Sequence, residues 1–229
     1  MRMLVFANRT TKEILRDPLS LFFGIGFPVA LLLLLSAINR SIPVDLFNVD
    51  SLTPGIAVFG LSFMALFAAQ VLSKDRASSF LTRLFTTPMT STDFIMGYSL
   101  PLLMMSIVQG IFCYIVAMFM GLAISLSMIV ALALLIPTSI IFIGIGLLCG
   151  TLLSERAAVG ICGALLTNLS AWLSGAWIDL NLISGLFKDV AFILPFVHQS
   201  KWEKLLLLVN TVIFPLISGG CLVMPSSYR

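Results

Sequence analysis

The sequence predicts an all-α polytopic membrane protein, a single domain over residues 1–229, and three observations carry that prediction. Hydrophobic residues make up 59% of the chain and charged residues only 10%, whereas soluble domains carry about a quarter of their residues charged. The mean hydropathy is +1.11. The few charges are also spaced so that they frame apolar runs of spanning length. A charge at the middle of a spanning helix costs about 2.5–3.5 kcal/mol on insertion scales, so a long interval without one marks membrane.

Residues 1–17 open the chain as an interfacial helix. Met3, Phe6, Ala7, Thr10 and Ile14 recur at helical spacing, while Arg2, Arg9, Lys12 and Arg16 supply positive charge. A cleavable signal would need an apolar region of about 7–15 residues and a small-x-small site. The run after Asp17 is longer, and Leu31 to Leu35 lead into Asn39 and Arg40 without such a site.

The spans follow from the charge-free intervals. There are 22 uncharged residues between Asp17 and Arg40, 23 between Asp50 and Lys74, 22 between Arg156 and Asp179, and 24 between Lys204 and Arg229. Each suffices for one crossing of about 20 residues. The 61 between Asp93 and Glu155 make two crossings joined by a turn near Met120 to Ser127, where Gly121, Ser125 and Ser127 cluster. The expected six spans are 18–39, 51–73, 94–119, 127–153, 157–178 and 205–224. Leu180–Phe187 and Val190–Val197 are too short to cross and are expected to form an outer hairpin.

Between spans two and three lies the longest charged stretch, Lys74 to Asp93. Ala77, Phe80, Leu81, Leu84 and Pro88 fall on one helical face, and Arg76, Ser79, Arg83, Thr86 and Thr87 on the other. A helix from Lys74 to Pro88 is expected, with Ser73 as its N-cap and Pro88 as its stop. Its apolar face would rest on the bundle and its basic face would meet a soluble partner. The competing expectation is a solvated loop joining two spans. Thr90 to Asp93 matches the capping-box pattern directly before span three.

Orientation comes from the basic residues. With the N-terminus inside, nine of the 13 Lys and Arg are cytoplasmic and four (Arg40, Lys188, Lys201, Lys204) are outside, while the ten acids divide five and five. That bias places both termini in the cytoplasm. Trp172 and Trp177 then fall toward the outer end of span five.

Other chemistry is sparse. The four cysteines sit in apolar runs without a C-x-x-C or Cys/His cluster, which suits packing rather than disulfide or zinc chemistry. His198 stands alone. No P-loop pattern occurs, so ATP hydrolysis is expected from another chain, and no metal or cofactor is expected on this one. Nothing in the charge balance suggests nucleic acid. Gly146 and Gly150 form a G-x-x-x-G suited to close helix packing. The spans hold Ser62, Gln70, Gln109, Thr138, Thr167, Asn168 and Asn210 but no acid or base near a centre, which argues against an ion-coupled carrier. These groups suit interhelical hydrogen bonding first. Ser62, Gln109, Thr167 and Asn168 are the candidates for lining a substrate path.

Three stretches, RTTKEILRDPLSLFFGIGFPV, LTPGIAVFGLSF and KDRASSFLTRLFTTPMTSTDFIMG, together with the span pattern, resemble the permease subunits of type 2 ABC exporters. Members usually carry a Glu-rich ERERGT-LE-L pattern where this chain has Lys74-Asp75-Arg76 and Ser78-Ser79-Phe80. After His198 no family signature stands out, as expected of a divergent or truncated member. The resemblance implies that Lys74–Pro88 is a coupling helix, with Lys74, Asp75, Arg76, Phe80, Arg83 and Pro88 meeting a separate ABC ATPase that carries ATP and Mg. It implies a homodimer or heterodimer of permeases in a bacterial or archaeal plasma membrane, exporting a drug, lipid or peptide. A non-transporting membrane scaffold or immunity protein is the alternative from a different class.

The topology is testable by labelling single cysteines in intact cells, in a cysteine-free background. Positions Asn48 and Gln199 should label from outside and Ser79 should not; labelling at Ser79 would reverse the orientation.

Overall fold

The computed structural model describes residues 2–41, 49–78, 80–122 and 126–173, and every regular element among them is helical. The chain enters along α1 (Arg2–Arg16), which buries Phe6, Ala7, Thr10 and Ile14 and leaves Leu4, Val5 and Leu15 exposed. Asp17 ends that helix and starts the next. Its carboxylate accepts hydrogen bonds from the Leu19 amide at 3.1 Å and the Ser20 hydroxyl at 2.6 Å, and Pro18 takes the first helical position. α2 (Pro18–Leu21) passes through a π-helical segment, Phe22–Gly26, into α3 (Phe27–Ser41).

α4 (Val49–Ala77) is followed by the six-residue α5 (Phe80–Phe85) and then α6 (Ser91–Phe119). The predicted capping box opens α6. Thr90 Oγ1 accepts from the Asp93 amide at 3.2 Å, and the Asp93 carboxylate accepts from the Thr90 amide at 3.2 Å. α6 closes at Gly121, whose φ of +110° lets the Leu122 amide reach the Ala117 carbonyl and the Gly121 amide reach that of Met118. α7 (Leu126–Leu152) follows. α8 (Glu155–Gly160), a second π-helical segment Ile161–Leu166, and α9 (Thr167–Leu173) complete the described chain.

Among the described residues, four helical stretches are long and apolar enough to cross a membrane: Pro18–Asn39, Leu52–Ala77, Ser91–Phe119 and Met128–Leu152. They correspond to the first four expected spans. The fifth is helical as far as Leu173, and its remainder, the outer hairpin, the sixth span and Trp177, His198 and Cys221 lie outside the described residues.

These four are not equivalent. Over its most apolar 18 residues the Leu52–Ala77 stretch has 83% of its positions buried, against 33, 44 and 39% for the others, so α4 is the post around which the described bundle is built. The sequence of α4 explains why. Small residues recur on every side, with Ala57, Ala65, Ala68, Ala69 and Ser62 all at 0% exposure, so neighbouring backbones can approach closely all round. α7 brings Gly146 and Gly150 against Ala65 and Ala69. A Cβ at Gly146 would collide with the Ala65 backbone, and one at Gly150 would come within 2.9 Å of the Ala69 carbonyl. The predicted G-x-x-x-G therefore packs on a matching A-x-x-x-A. On another side, Phe23 and Phe27 of the first span interlock with Phe59 and Phe63, with ring centroids 5.7–6.3 Å apart.

Two local expectations are corrected. Ser73 is not an N-cap: it lies inside α4, buried, with its hydroxyl donating to the Gln70 carbonyl at 3.2 Å. The helix expected from Lys74 to Pro88 is two pieces, because α4 continues through Ala77 before the chain turns into α5. Ser78 serves the new start, its Oγ accepting from the Phe80 amide at 3.3 Å. Ala77 and Pro88, placed on the inward face by periodicity, are exposed as a result.

The α4–α7 seam makes a graded prediction. Gly146→Val should lower stability by about 1–3 kcal/mol through overpacking. Gly144→Ala, where a Cβ meets nothing within 4 Å, should change it by less than about 0.5 kcal/mol. Thermal unfolding in mild detergent compares the two, and equal effects would contradict this packing.

Candidate functional site

The densest polar chemistry lies where α4 ends, and it is built from three consecutive residues. Successive helical residues point about 100° apart, so Lys74, Asp75 and Arg76 reach three different neighbours. Lys74 Nζ lies 3.5 Å from Glu13 on α1. Asp75 turns inward, 3% exposed, and accepts two hydrogen bonds from Arg9 on α1, at 2.5 and 2.8 Å, and one from the Tyr98 hydroxyl on α6, at 2.7 Å. Arg76 donates to the carbonyls of Thr151 and Leu153 at the end of α7. A guanidinium there satisfies carbonyls that the helix leaves open and complements the negative end of its dipole.

The Asp75 contact is a two-pronged, charge-assisted pair, the strongest common form of side-chain hydrogen bond. Its hydrogen bond to Asp75 holds the Arg9 guanidinium above its ordinary range, against the lowering effect of burial. Glu13, one turn on from Arg9, adds a second carboxylate at 2.9 Å. Tyr98 is 1% exposed, so its hydroxyl needs a partner, and Asp75 supplies it.

Aromatic rings close around the pair. Phe6, 6% exposed, has its ring edge-on to Tyr98 at 4.9 Å and roughly parallel to Phe80 and Phe94 at 6.3 and 6.4 Å. The Arg9 guanidinium lies 4.3 Å above the Phe80 ring. Gly97 makes the arrangement possible, because a Cβ there would run into the Phe6 ring. Phe80, Leu81 and Leu84 of α5 join this cluster with Leu72. α1, the end of α4, α5 and the start of α6 thus form one knot, an ion pair inside an aromatic box.

Of the six residues expected to meet a partner, Lys74, Asp75 and Arg76 are engaged within the chain through the bonds above, and Phe80 through Phe6 and Arg9. Arg83 and Pro88 are solvent-exposed, as are Thr82, Thr86 and Thr87. Sequence reasoning missed Arg9, Tyr98, Phe6 and Gly97 as members. The available signal was an acid next to two bases at a span end, facing an Arg on an amphipathic helix.

The candidate path residues fall in two places. Ser62 in α4 and Gln109 in α6 are both at 0% exposure. The Gln109 amide lies against Gly60 and donates to the Ala57 carbonyl at 3.2 Å, while its Oε1 has no partner; Ser62 donates to Phe59 within α4 at 2.6 Å. Thr167 and Asn168 sit on α9 and donate to the carbonyls of Cys162 and Ala164. No described hydrogen bond joins the two pairs. No group of three metal-ligating side chains occurs among the described residues, and Cys113, Cys149 and Cys162 are free thiols.

A bundle of long apolar helices tied together at one end by a charged knot is a multi-pass membrane protein, and comparison with known proteins gives its family. The family profile described as ABC-2 type transporter matches residues 2–201, and the chain belongs to that family. The "Putative transport permease ycf38" of Porphyra purpurea is 33% identical over 140 residues, covering 57% of this chain and 48% of the relative. The protein of the same name in Pyropia yezoensis is 30% identical over 120 residues, covering 50% and 41%. The matches thus span less than half the length of these relatives. No solved structure matches.

The knot predicts coupling between its members. Arg9→Met strands a buried carboxylate and should cost about 3–5 kcal/mol. Adding Asp75→Asn should then restore stability, giving a coupling of about 1–3 kcal/mol in a double-mutant cycle followed by thermal unfolding. Simply additive losses would show that the two residues act independently.

Proposed function

We propose that this chain is the membrane-spanning permease subunit of an ATP-driven ABC exporter. In this proposal the complete permease has six spans with both termini in the cytoplasm of a plasma membrane, and pairs with a second permease, identical or similar. A separate ABC ATPase subunit binds ATP and Mg and docks on the cytoplasmic end of the bundle. The cargo is a hydrophobic or amphipathic molecule, a drug, a lipid or a peptide. This chain itself performs no catalysis, and its sequence carries no P-loop.

The observation that carries the proposal is α5, a six-residue helix held by its inner side and exposed on its outer one. Leu81 is buried and Phe80 and Leu84 are half-buried in the aromatic knot, while Thr82, Arg83, Thr86, Thr87 and Pro88 are exposed. A push on that outer side has a rigid route inward. α5 rests on Phe6 of α1, Phe6 packs on Tyr98 of α6, and the Arg9–Asp75–Tyr98 bonds join α1 and α6 to the end of α4, the most buried of the described helices. Movement of a docked ATPase would thus tilt α1, α4 and α6 together. The α4–α6 seam that responds contains Gln109, whose unpartnered Oε1 becomes available to a cargo hydrogen bond when the seam opens.

Arg83, exposed on the outer side of α5, tests the docking. Arg83→Glu should leave membrane insertion intact and should weaken copurification of the ATPase at least tenfold, since losing a desolvated interface charge costs about 2–5 kcal/mol. Substrate-stimulated ATP hydrolysis in reconstituted vesicles should fall in parallel. Unchanged binding and transport would remove α5 from the coupling route.

A further inference from the structure

The outer surface of α1 carries two kinds of exposed side chain next to each other. Lys12 and Arg16, one turn apart, make no ion pair or hydrogen bond among the described residues. They line an open groove of about 740 Å³ with Arg9, Glu13, Asp17 and Lys74 on its walls. Four cations there face two carboxylates, and both carboxylates are already occupied. Glu13 is held between Arg9 at 2.9 Å and Lys74 at 3.5 Å, and Asp17 caps α2 through Leu19 and Ser20. Arg9 is held in turn by Asp75. The charge left over is positive and sits on Lys12 and Arg16.

The same surface is apolar along its neighbouring edge. Leu4 and Leu15 are 57% and 59% exposed, and Leu19 just beyond is 65% exposed. At 100° per residue, Leu4 and Leu15 lie within about 20° of each other, and Lys12 and Arg16 follow about 60–100° further round. Leucines beside unpaired cations fit the boundary between hydrocarbon and phosphate, where an interfacial helix buries one edge and presents the other to headgroups. An acidic protein surface would match the cations but would leave the leucines in water. Basic pockets at the end of a spanning bundle recognise anionic headgroups through the same chemistry.

We propose that this groove is a binding site for an anionic phospholipid, with its phosphate between Lys12 and Arg16, Lys74 at the rim, and its acyl chains along Leu4, Leu15 and Leu19. Because the groove borders the Arg9–Asp75 pair, a bound lipid would brace α1 against the end of α4. The proposal does not depend on the docking of an ATPase.

The test uses the full chain purified in mild detergent, with phosphatidylglycerol, phosphatidylcholine or inorganic phosphate added, and reads both the lipid retained by mass spectrometry and the unfolding temperature. The wild type should retain phosphatidylglycerol over phosphatidylcholine by about tenfold and be stabilised by it, while inorganic phosphate has little effect. The double variant Lys12→Gln, Arg16→Gln should lose most of that preference, with an unchanged unfolding temperature in phosphatidylcholine. The charge-preserving pair Lys12→Arg, Arg16→Lys should keep the preference. Equal retention by the neutral pair, loss in the charge-preserving pair, or equal protection by inorganic phosphate would overturn the proposal. So would a neutral pair that sheds a copurifying ATPase while keeping its lipid, which would assign the groove to a protein partner.

Discussion

A carboxylate buried at the end of a spanning helix has to be matched, and much of the described structure follows from how Asp75 is matched. At 3% exposure it cannot be solvated, and leaving it unpaired would cost several kcal/mol. The guanidinium that answers it comes from Arg9, 66 residues earlier in the chain, and the hydroxyl from Tyr98, 23 residues later. Satisfying one charge therefore fixes the positions of α1 and α6 against α4. Burial of the Asp75 side of the pair strengthens the attraction, while the Arg9 side chain, over the ring of Phe80, stays 37% exposed. Gly97 is the concession that lets Phe6 in.

Below this knot the bundle is held by a different principle. Inside hydrocarbon there is no hydrophobic drive to bring two helices together, so association relies on close backbone approach and on shape. α4 answers with alanines and serine on all sides, α7 with Gly146 and Gly150, and the first span with interlocked phenylalanines. Arg76 joins the two regimes, since it caps the end of α7 from the same three-residue turn that carries Asp75. A central helix gripped at one end by charge and along its length by packing is well placed to carry motion from a soluble face into the membrane.

Much of this was legible in the sequence and some was not, for physical reasons. That the described chain holds long apolar helices was legible because charge is too costly in hydrocarbon to be placed at random. The start of α6 was legible because a capping box is entirely local, with Thr90 and Asp93 three residues apart. The inner side of α5 was partly legible from Phe80, Leu81 and Leu84, whereas Ser73, Ala77 and Pro88 were misplaced because periodicity cannot see that α4 continues to Ala77. The centrality of α4 was hidden, since a spanning helix is apolar all round whether it faces lipid or protein. Asp75 was hidden for the opposite reason. Between two bases it was expected to meet a separate ATPase, and only the fold brings Arg9 and Tyr98 to it. The two π-helical segments left no readable sign in composition.

The central claim is that the Asp75 knot makes α1, α5 and the start of α6 one mechanical unit with the end of α4. Hydrogen exchange resolved by peptide, on the full chain in lipid nanodiscs, tests it most directly when wild type is compared with Asp75→Asn. The account predicts that amides of residues 2–16, 80–85 and 91–98 lose protection together in the variant, while residues 138–150 of α7, packed through glycine and alanine, stay protected. If exchange rises only beside residue 75, or α7 opens with the rest, the knot is not the element that unites them.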